Sequence, residues 1–363
     1  MTMKTPMELD HYGILSRFRL STPPVSCAPY GRGHINRTFL VRCANGAEYM
    51  LQRINTDVFR TPDALQRNIR LVTEHLRTKS PDPRSVLYLV PTIDGGTYVN
   101  VHGECWRVYT FVANSVCLQR ADTPALFEES ARAFARFFNS LSDFPAEELA
   151  ETIPHFHDSP ARFAALKDAI ERDPLGRAKD VRREIDFALA REPLAHAYDA
   201  AKAAGELPLR VTHNDTKINN VLFDEVTMRG LCVIDLDTVM PGLIMNDFGD
   251  AIRFGASTGE EDERDLSKIA LDLTLYEAYA RGYLAECGNA MTPAEKELLP
   301  TSAMLMTYEC GTRFLADHLV GDTYFRIARP GHNLDRARTQ FALVADMERK
   351  WDEMRRITAA AAL

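Results

Sequence analysis

The first 112 residues carry short runs in which hydrophobic and polar positions alternate, the period of two that is expected of strands. One run lies within residues 29–41 and the next is Glu48–Ile54, with Asn45 and Gly46 between them as a two-residue hairpin turn. Residues 86–92 and 106–112 predict two more strands. This part of the chain is therefore predicted to be rich in β-structure.

One helix interrupts these strands, and helical periodicity dominates after residue 113. Thr61 and Pro62 open the first helix with a capping residue and a proline in the first turn, and hydrophobic side chains then recur at helical spacing. Thr123 and Pro124 open a second helix in the same way. Further helical patterns cover residues 160–172, 178–190, 193–204, 263–286, 301–319 and 334–354.

These two patterns divide the chain into two predicted domains, residues 1–112 and residues 113–363. The first is rich in strands and carries one helix. The second is mainly helical, with a hairpin embedded in residues 211–237. The predicted fold class is therefore α+β with two lobes, and ligands of such folds usually bind in a cleft.

The composition is that of an ordinary globular protein of 363 residues, with 45% hydrophobic and 26% charged residues. A net charge of −8 argues against a broad surface for nucleic acid. Seven scattered cysteines without a Cys-x-x-Cys pair favour free thiols in a reducing compartment. Since no hydrophobic run reaches about 18 residues and no signal peptide is visible, we expect a cytoplasmic protein without a membrane partner.

A polar segment lies between two short hydrophobic runs and contains the spacing His213-x-Asp215-x4-Asn220. A second hydrophobic run, residues 231–234, follows it and ends at Asp235. One carboxylate of this set can meet an incoming hydroxyl group. An amide oxygen and a second carboxylate can hold Mg²⁺ beside phosphate groups. The residue types and their spacing therefore favour phosphoryl transfer to a small molecule.

Four segments of the chain resemble, in order, the aminoglycoside phosphotransferase and choline kinase family, which has a protein-kinase-like fold. They are Gly33-His-Ile-Asn-Arg-Thr-Phe-Leu-Val41, the loop His213-x-Asp215-x4-Asn220, the strand end Ile234-Asp235-x-Asp237, and Gly242-x4-Asp247. Within that family, residues 51–55, 213–220, 247–253 and 329–336 are most similar to the N-acetylhexosamine 1-kinases. The resemblance implies an enzyme that uses ATP and Mg²⁺ to phosphorylate the anomeric hydroxyl group of a sugar such as GlcNAc or GalNAc.

The resemblance also implies roles for individual residues of the polar segment. Asp215 would be the carboxylate that orients or deprotonates the acceptor hydroxyl group, and Asn220 and Asp235 would be the ligands of Mg²⁺. His213 would pack and form hydrogen bonds rather than transfer a proton. Asp247 would support the catalytic loop.

The nucleotide is expected to contact the chain at two further places, the glycine turn of the first domain and the hinge between the two domains. Gly31 and Gly33 would let backbone N–H groups approach the phosphates closely. Phe111 and Ala113 lie in the segment that would hold adenine through backbone groups. An ordinary glycine turn and ordinary core packing are the alternatives for these four residues.

One position departs from the family pattern. Kinases of this fold usually carry a lysine on the third strand, paired with a helix glutamate, to hold the α- and β-phosphates. This chain has Leu51, Gln52 and Arg53 there. Because neighbours along a strand point to opposite faces, only one of Gln52 and Arg53 can face the nucleotide. Arg53 is favoured because it alone carries a charge.

Three residues are predicted to contact the acceptor, namely Asp237, Asp250 and Arg313. Asp237 could instead bind the metal through water or cap the next turn, and Asp250 could simply begin a helix. A sugar site needs hydrogen-bonding groups and an aromatic face, which the guanidinium of Arg313 and the ring of the nearby Tyr324 supply. Polar residues are also common on exposed helix faces, which is the alternative for Arg313.

Two alternatives stay open from the sequence. The acceptor could be another sugar, choline, an amino alcohol or an aminoglycoside, because acidic and arginine-containing segments are both present. The missing strand lysine also allows a catalytically silent nucleotide or sugar binder, although all three phosphotransfer residues are present.

Overall fold

The computed structural model describes residues 10–31 and 35–362, which form two compact units. The first unit comprises the described residues up to Ser115 together with Leu149–Ile153, and the remaining residues form the second unit. Among the described residues, no helix has the length and apolar character needed to cross a membrane.

The short segment Leu149–Ile153 was expected in the second domain, but its contacts group it with the first unit. The side-chain amide of Asn68 donates to the carbonyl oxygen of Ala150 at 2.7 Å and accepts the Ala150 N–H at 3.0 Å. Asn68 is completely buried. A buried amide with both groups bonded to one residue ties this segment to the helix that carries Asn68.

The first unit contains two helices and a five-stranded antiparallel sheet. The helices are α1 (His11–Leu15) and α2 (Pro62–Lys79), and the strands are β1 (Pro24–Pro29), β2 (Arg37–Cys43), β3 (Glu48–Ile54), β4 (Val99–Val101) and β5 (Glu104–Thr110). The strand order in the sheet is β1-β2-β3-β5-β4. The strand predicted at residues 48–54 is confirmed with its predicted bounds, and those predicted within residues 29–41 and at 106–112 are confirmed with shifted ends.

The predicted hairpin between β2 and β3 is present, but its turn holds three residues rather than two. The N–H of Cys43 donates to the carbonyl oxygen of Ala47 at 2.8 Å, and the Gly46 N–H donates to Cys43 at 2.9 Å. Gly46 has a φ of +84°, which only glycine adopts without strain. The longer turn therefore places its one left-handed residue at the glycine.

Residues 86–92 do not form the predicted regular strand. The carbonyl oxygen of Tyr88 accepts the N–H of Thr110 at 3.0 Å, and the Val90 N–H donates to Val108 at 2.8 Å. Pro91 follows and has no N–H to continue the ladder. The segment is therefore extended beside β5 for only a few residues.

The second unit contains eleven helices among its described residues, together with a two-stranded sheet and a three-stranded sheet. The helices are α3 (Pro124–Ser140), α4 (Ser159–Arg172), α5 (Arg182–Leu189), α6 (Glu192–Ala195), α7 (Asp199–Ala203), α8 (Ile244–Gly255), α9 (Leu273–Cys287), α10 (Pro293–Glu297), α11 (Leu299–Val320), α12 (His332–Arg349) and α13 (Trp351–Ala361). The strands are β6 (Ser115–Cys117) at the boundary of the units, then β7 (Arg210–Thr212), β8 (Val221–Asp224), β9 (Gly230–Val233) and β10 (Met240–Gly242). β7 pairs with β10 in the two-stranded sheet, and the strand order in the three-stranded sheet is β6-β8-β9.

Several predicted helices are shorter than their hydrophobic patterns suggested. The helix predicted over residues 263–286 begins only at Leu273, because the carboxylate of Asp272 caps it by accepting the Thr274 N–H at 2.8 Å. The pattern over residues 334–354 is divided at Lys350 into α12 and α13. Hydrophobic periodicity continues across such breaks, so it does not reveal them.

The hydrophobic core of the second unit fixes the position of α8. Phe248 on this helix packs edge-on against the rings of Tyr276, Tyr279 and Tyr283 on α9, with centroids 5.5–5.9 Å apart. All four side chains are almost completely buried. Since Asp247 and Asp250 lie on the same helix, this packing also fixes the position of these two acids, both of which were singled out from the sequence.

Gly249 on α8 is expected to be a position where even a methyl group destabilises the protein. A Cβ atom there would meet the carbonyl oxygen of Ser302 and would lie 2.7 Å from Cγ of Met306, both on α11. Gly249→Ala should therefore lower the free energy of unfolding by about 1–3 kcal/mol, the usual effect of overpacking, although alanine is the better helix former. Urea unfolding of the variant measures this.

Gly288 provides the matched control for that substitution. It has a helical backbone, and an added Cβ atom would come no closer than 3.7 Å to Leu284. Gly288→Ala should leave the free energy of unfolding unchanged or raise it slightly. Equal effects at Gly249 and Gly288 would contradict the steric argument.

Candidate active site

The predicted catalytic loop connects β7 to β8, and α8 supports its beginning. The carboxylate of Asp247 accepts the backbone N–H of His213 at 2.9 Å and that of Asn214 at 2.7 Å. Asn214 has a φ of +64°, a region that asparagine occupies more readily than most residues. Burial raises the pKa of Asp247 above its ordinary value despite these two bonds. Asp247 therefore makes the supporting contacts that the resemblance implies.

His213 is completely buried, and both of its ring nitrogens are engaged. Nδ1 accepts the N–H of Asp215 at 3.3 Å, and Nε2 lies 2.9 Å from the carbonyl oxygen of Ile234. A ring that accepts at Nδ1 must donate at Nε2, so the two contacts are compatible with one neutral tautomer. The ring also packs edge-on against Phe134 and Phe137. These contacts position the loop and leave no nitrogen for proton transfer.

Asp215 is held by its neighbours within the loop. Its Oδ1 lies 2.8 Å from Nζ of Lys217, and its Oδ2 accepts the side-chain N–H of Asn220 at 3.0 Å. Burial raises the pKa of Asp215, but the ammonium of Lys217 and the bond from Asn220 outweigh it, so the pKa lies below its ordinary value. The side chain keeps 25% of its surface exposed. Asp215 is therefore an ionised, accessible carboxylate of fixed orientation.

The hairpin of β8 and β9 brings the two predicted metal ligands to the same end. The carbonyl oxygen of Asn220 accepts the N–H of Ile234 at 2.9 Å, and Asp235 follows directly with a left-handed φ of +60°. The side-chain nitrogen of Asn220 donates to Asp215, so its amide oxygen is the atom left to bind a cation. Asp235 is exposed. Within the described ranges no cluster of three His, Cys, Asp or Glu residues could hold a metal.

Asp250, a predicted acceptor ligand, is occupied by protein groups. Its Oδ1 accepts Nε–H of Arg253 at 2.9 Å, and its Oδ2 accepts the backbone N–H of Thr216 at 3.1 Å. Arg253 also pairs with Glu261 at 3.1 Å. Asp250 therefore ties the middle of the loop to α8, and of the two roles considered from the sequence this contact favours the structural one.

Asp237, the second predicted acceptor ligand, lies in a short turn after Asp235 and is only 2% exposed. The next residue, Thr238, donates its hydroxyl to the carbonyl oxygen of His213 at 2.7 Å and accepts the side-chain N–H of Asn214 at 2.9 Å. The turn is thus bonded to the catalytic loop. Its burial leaves the Asp237 carboxylate little surface for a sugar hydroxyl group.

Arg313, the third predicted acceptor ligand, lies on α11 among aromatic rings. Its guanidinium carbon is 5.1 Å from the ring centre of Phe156, 5.8 Å from that of Tyr324 and 5.4 Å from that of Phe325. A cavity of about 270 Å³ opens beside it. Arg162, Arg313, Tyr324 and Phe325 form one wall of this cavity. The carboxylate of Asp317 holds the segment that carries the two rings by accepting the backbone N–H groups of residues 323–325 at 2.8–2.9 Å.

Sequence reasoning missed a buried ion pair that connects the loop to α11. His157 approaches Oε1 of Glu309 with Nδ1 at 2.8 Å and the carbonyl oxygen of Asn214 with Nε2 at 3.2 Å. Ser159 donates to the second oxygen of Glu309 at 2.6 Å. Burial disfavours both charges, but mutual attraction dominates, so the pKa of His157 is raised and that of Glu309 is lowered. No local motif signals a pair 152 residues apart.

The residues predicted to bind the nucleotide lie in the first unit. Gly31 has a φ of +77°, and a Cβ atom there would meet nothing within 4 Å, so the glycine provides conformational freedom on an open surface. Gly33 lies outside the described residues. The N–H of Phe111 donates to the carbonyl oxygen of Glu48 at 3.1 Å, and Ala113 is exposed. The nucleotide contacts of these residues stay predictions.

The strand register puts Arg53 and Gln52 on opposite faces of the sheet, as strand alternation predicts, and the preference for Arg53 stays a prediction. Arg53 lies opposite Trp106, whose face of the sheet packs into the buried core of the first unit, and its guanidinium pairs with Glu104. Gln52 lies opposite Thr38 and points to the other face, where both side chains are half-buried.

Comparison with solved structures shows the same fold in known kinases. A microcompartment-associated aminopropanol kinase has 17% identity, a TM-score of 0.59 and coverage of 95% of this chain and 97% of its own. An aminoglycoside phosphotransferase from Alicyclobacillus acidocaldarius has 14% identity, a TM-score of 0.63 and coverage of 98% of both chains. The amicoumacin kinase hAmiN, solved with AMP-PNP and Ca²⁺, has 14% identity, a TM-score of 0.63 and coverage of 92% and 93%.

These similarities confirm the predicted protein-kinase-like α+β fold, with a sheet in the first unit and a mainly helical second unit. A family model described as the phosphotransferase enzyme family matches residues 26–298. The match covers well over half of the chain, which therefore belongs to the phosphotransferase enzyme family.

Proposed function

We propose that this phosphotransferase is a cytoplasmic kinase that uses ATP and Mg²⁺ to phosphorylate the anomeric hydroxyl group of an N-acetylhexosamine. The observation that carries the proposal is the positively charged, aromatic wall around Arg313. Phosphoryl transfer itself follows from family membership, whereas the choice of acceptor depends on the chemistry of this wall.

Two guanidinium groups and two aromatic rings line the cavity beside α11. They belong to Arg162, Arg313, Tyr324 and Phe325. Burial lowers the pKa of Arg162, and the charge of Arg313 lowers it further, so the two guanidinium groups lie near enough to repel each other. A cationic amino alcohol or aminoglycoside would add a third positive charge. A neutral sugar avoids that repulsion and can accept hydrogen bonds from the arginines while stacking on Tyr324.

The carboxylates near this wall do not cancel its charge for a ligand. Glu309 is bound by His157 and Ser159, and Asp317 is bound by backbone N–H groups. Asp168 also lines the cavity, but its carboxylate pairs with Arg172 at 2.9 Å. The wall is also connected to the catalytic loop, because Arg313 lies over Phe156 and the adjacent His157 contacts Asn214, next to Asp215. We therefore expect an acceptor held at Arg313 to lie on the side of α11 that contacts the loop.

The chain's own residues supply the remaining chemistry. In the proposed reaction the sugar oxygen forms a bond to the γ-phosphorus as the bond to the β-phosphate oxygen breaks, and Asp215 orients the hydroxyl group and accepts its proton. Lys217, 2.8 Å from Asp215, holds that carboxylate ionised. The low pKa of Asp215 makes it a weak base, which suits a loose transition state that depends on positioning.

The predicted metal ligands fit the preferences of Mg²⁺. The free amide oxygen of Asn220 and the exposed carboxylate of Asp235 are hard oxygen donors at one end of a hairpin. Mg²⁺ usually takes one or two protein carboxylates and completes its shell with waters and phosphate oxygens. When bound, it would neutralise charge on the nucleotide phosphates.

A competing function is phosphorylation of a cationic acceptor. It is favoured by the chain's excess of acids, 51 against 43 basic residues, and by the aminopropanol kinase and aminoglycoside phosphotransferase among its structural relatives. The total charge is spread over the whole surface, however, whereas an acceptor meets only its own pocket. The charges around Arg313 are therefore a better guide to the acceptor than the net charge of the whole chain.

ADP release across a panel of acceptors tests the proposal. We expect turnover with N-acetylglucosamine or N-acetylgalactosamine and at least about tenfold lower kcat/KM with choline, ethanolamine and kanamycin, since about 1.4 kcal/mol of charge repulsion suffices for that factor. NMR of the product should show phosphate on the C1 oxygen. Turnover confined to the cationic acceptors, or phosphate on another hydroxyl group, would overturn the proposed acceptor.

A further inference from the structure

Two histidines contact the peptide group that joins Asn214 to Asp215. Nε2 of His157 lies 3.2 Å from the carbonyl oxygen of Asn214, and Nδ1 of His213 accepts the N–H of Asp215 at 3.3 Å. This carbonyl and this N–H belong to one planar peptide unit. The peptide that leads into the proposed base is thus held at both of its hydrogen-bonding groups.

The contacts of His157 require a different protonation state from that of His213. Both of its ring nitrogens face acceptors, because Nδ1 lies 2.8 Å from Oε1 of Glu309 and Nε2 lies beside the carbonyl oxygen of Asn214. Only the doubly protonated ring donates to both acceptors. Burial disfavours that charge, but the attraction of Glu309 outweighs it, so the pKa of His157 is raised. His157 is therefore an imidazolium that donates to the loop.

The backbone of Asn214 depends on outside support. Its φ of +64° is a left-handed conformation that is unfavourable for a residue with a side chain. Its N–H donates to Asp247 at 2.7 Å, and its side-chain amide donates to the carbonyl oxygen of Thr238 at 2.9 Å. His157 adds the contact to its carbonyl oxygen. Without that contact, only the N–H end of the following peptide would be held, and the backbone of Asp215 could shift.

The ring of His157 is itself held firmly. The side chains of His157 and Glu309 are almost completely buried, and Ser159 donates to the second oxygen of Glu309 at 2.6 Å. The ring of Phe156 packs against the imidazole with the centroids 4.6 Å apart. Glu309 lies on α11, one turn before Arg313. The helix that carries the proposed acceptor wall therefore also anchors the imidazolium.

We propose that His157 is a positioning residue for phosphoryl transfer, because its Nε2–H holds the carbonyl oxygen of Asn214 and thereby fixes Asp215 against the acceptor. The inference rests on the proposed function, in which Asp215 meets the acceptor hydroxyl group. It does not depend on which acceptor is bound. A displacement of about 1 Å at a reacting group can cost about 100-fold in rate, so the role belongs to kcat rather than to binding.

Two amide substitutions separate the loop contact from the ion pair. The amide nitrogen of asparagine lies where Nδ1 of histidine lies, whereas the amide nitrogen of glutamine reaches the position of Nε2. His157→Asn should therefore keep the bond to Glu309 and lose the bond to Asn214, and His157→Gln should do the reverse. Both remove the imidazolium beside Glu309, so thermal unfolding should show a similar loss of stability in both.

ADP release at saturating ATP and N-acetylglucosamine measures the kinetic difference. His157→Asn should lower kcat by about 10- to 100-fold with both KM values within about threefold, since a displaced base loses positioning but not substrate contacts. His157→Gln should rescue kcat to at least about fivefold above that of His157→Asn, the effect of about one hydrogen bond. If the sugar is not turned over, hydrolysis of ATP gives the same comparison, because Asp215 then orients water.

His196→Asn is the control for the loss of an imidazole elsewhere. His196 is exposed and pairs with Asp199 at 2.7 Å, three residues along the chain. This variant should leave kcat unchanged. If His157→Asn or His157→Gln does not fold, the same comparison is made in the Glu309→Gln background, where no buried charge is left unpaired.

The possible results distinguish the inference from the proposed function. Equal kcat values for His157→Asn and His157→Gln, or a rise in KM with kcat unchanged, would show that the contact to Asn214 does not position the base and would overturn the inference. If His157→Asn keeps kcat while Asp215→Asn loses it, the inference alone fails. If Asp215→Asn also keeps kcat, the proposed role of Asp215 fails as well.

Discussion

Asp215→Asn is expected to lower kcat by about 10²- to 10⁴-fold, the usual contribution of a positioned acid or base. The asparagine keeps the shape of the side chain and can still bond to Asn220, but it cannot accept a proton or hold the charge of Lys217. Affinity for ATP should change little, because Asp215 is expected to contact the acceptor hydroxyl group rather than the nucleotide. Steady-state kinetics at saturating ATP and acceptor measure kcat directly.

The low pKa of Asp215 adds an expectation about pH. The pKa of this carboxylate lies below its ordinary value of 3.8, so the group is fully ionised at pH 5 and above. Its titration therefore cannot cause a loss of activity between pH 5 and pH 7. Any acid limb of kcat/KM in that range must come from another group. A kcat limb that disappears in Asp215→Asn would show instead that Asp215 titrates there.

Asp265→Asn is the matched control, because Asp265 is an exposed acid whose carboxylate bonds only to nearby residues of its own loop. It should retain full kcat. If Asp215→Asn keeps kcat within about threefold of the unaltered protein, a difference of less than 1 kcal/mol in the barrier, Asp215 is not the group that meets the acceptor.

The strongest sequence signals were those in which local chemistry and hydrophobic period agree. Helices α2 and α3 have a threonine cap position, a proline in the first turn and regular hydrophobic spacing, and both are found where predicted. The catalytic loop was likewise visible because its polar residues are close in sequence. Such features need no knowledge of distant contacts.

The sequence was a poorer guide wherever the answer depended on register or on distant partners. Only the pairing of β3 with β2 and β5 decides that Gln52 and Arg107 share a face, and a shift of one residue would reverse it. The environment of Asp250 depends in the same way on Thr216, 34 residues before it. Residue type alone does not reveal that Arg53 pairs with Glu104 or that Asp250 bonds to Thr216 and Arg253.

Glu309→Gln is expected to lower the free energy of unfolding by about 3–5 kcal/mol near pH 5.5, because it removes one partner of a buried ion pair and leaves His157 charged. The side chain of Glu309 is 2% exposed and that of His157 is 10% exposed, so water compensates little. Glutamine can still accept from Ser159, but it cannot balance the imidazolium. Denaturant unfolding at fixed pH gives the difference.

The pair also fixes the pH range in which this loss is largest. The lowered pKa of Glu309 means that its stabilising contribution is present above its ordinary pKa of 4.5 and is lost as the pH falls through the folded value. The raised pKa of His157 means that its contribution is complete below 6.5 and is lost as the pH rises through the folded value. The difference between the two proteins should therefore be greatest between pH 4.5 and 6.5.

Two comparison variants separate the ion pair from a simple loss of a glutamate. Glu297 is exposed on α10, and Glu297→Gln should leave stability unchanged across the same pH range. Adding His157→Gln to Glu309→Gln removes the unbalanced charge and should recover part of the loss at pH 5.5, since two neutral amides can bond to each other. If Glu309→Gln is no less stable than Glu297→Gln at pH 5.5, the pair is not ionised. The connection from α11 through His157 to Asn214 would then rest on neutral hydrogen bonds, and the loop should keep its position at every pH.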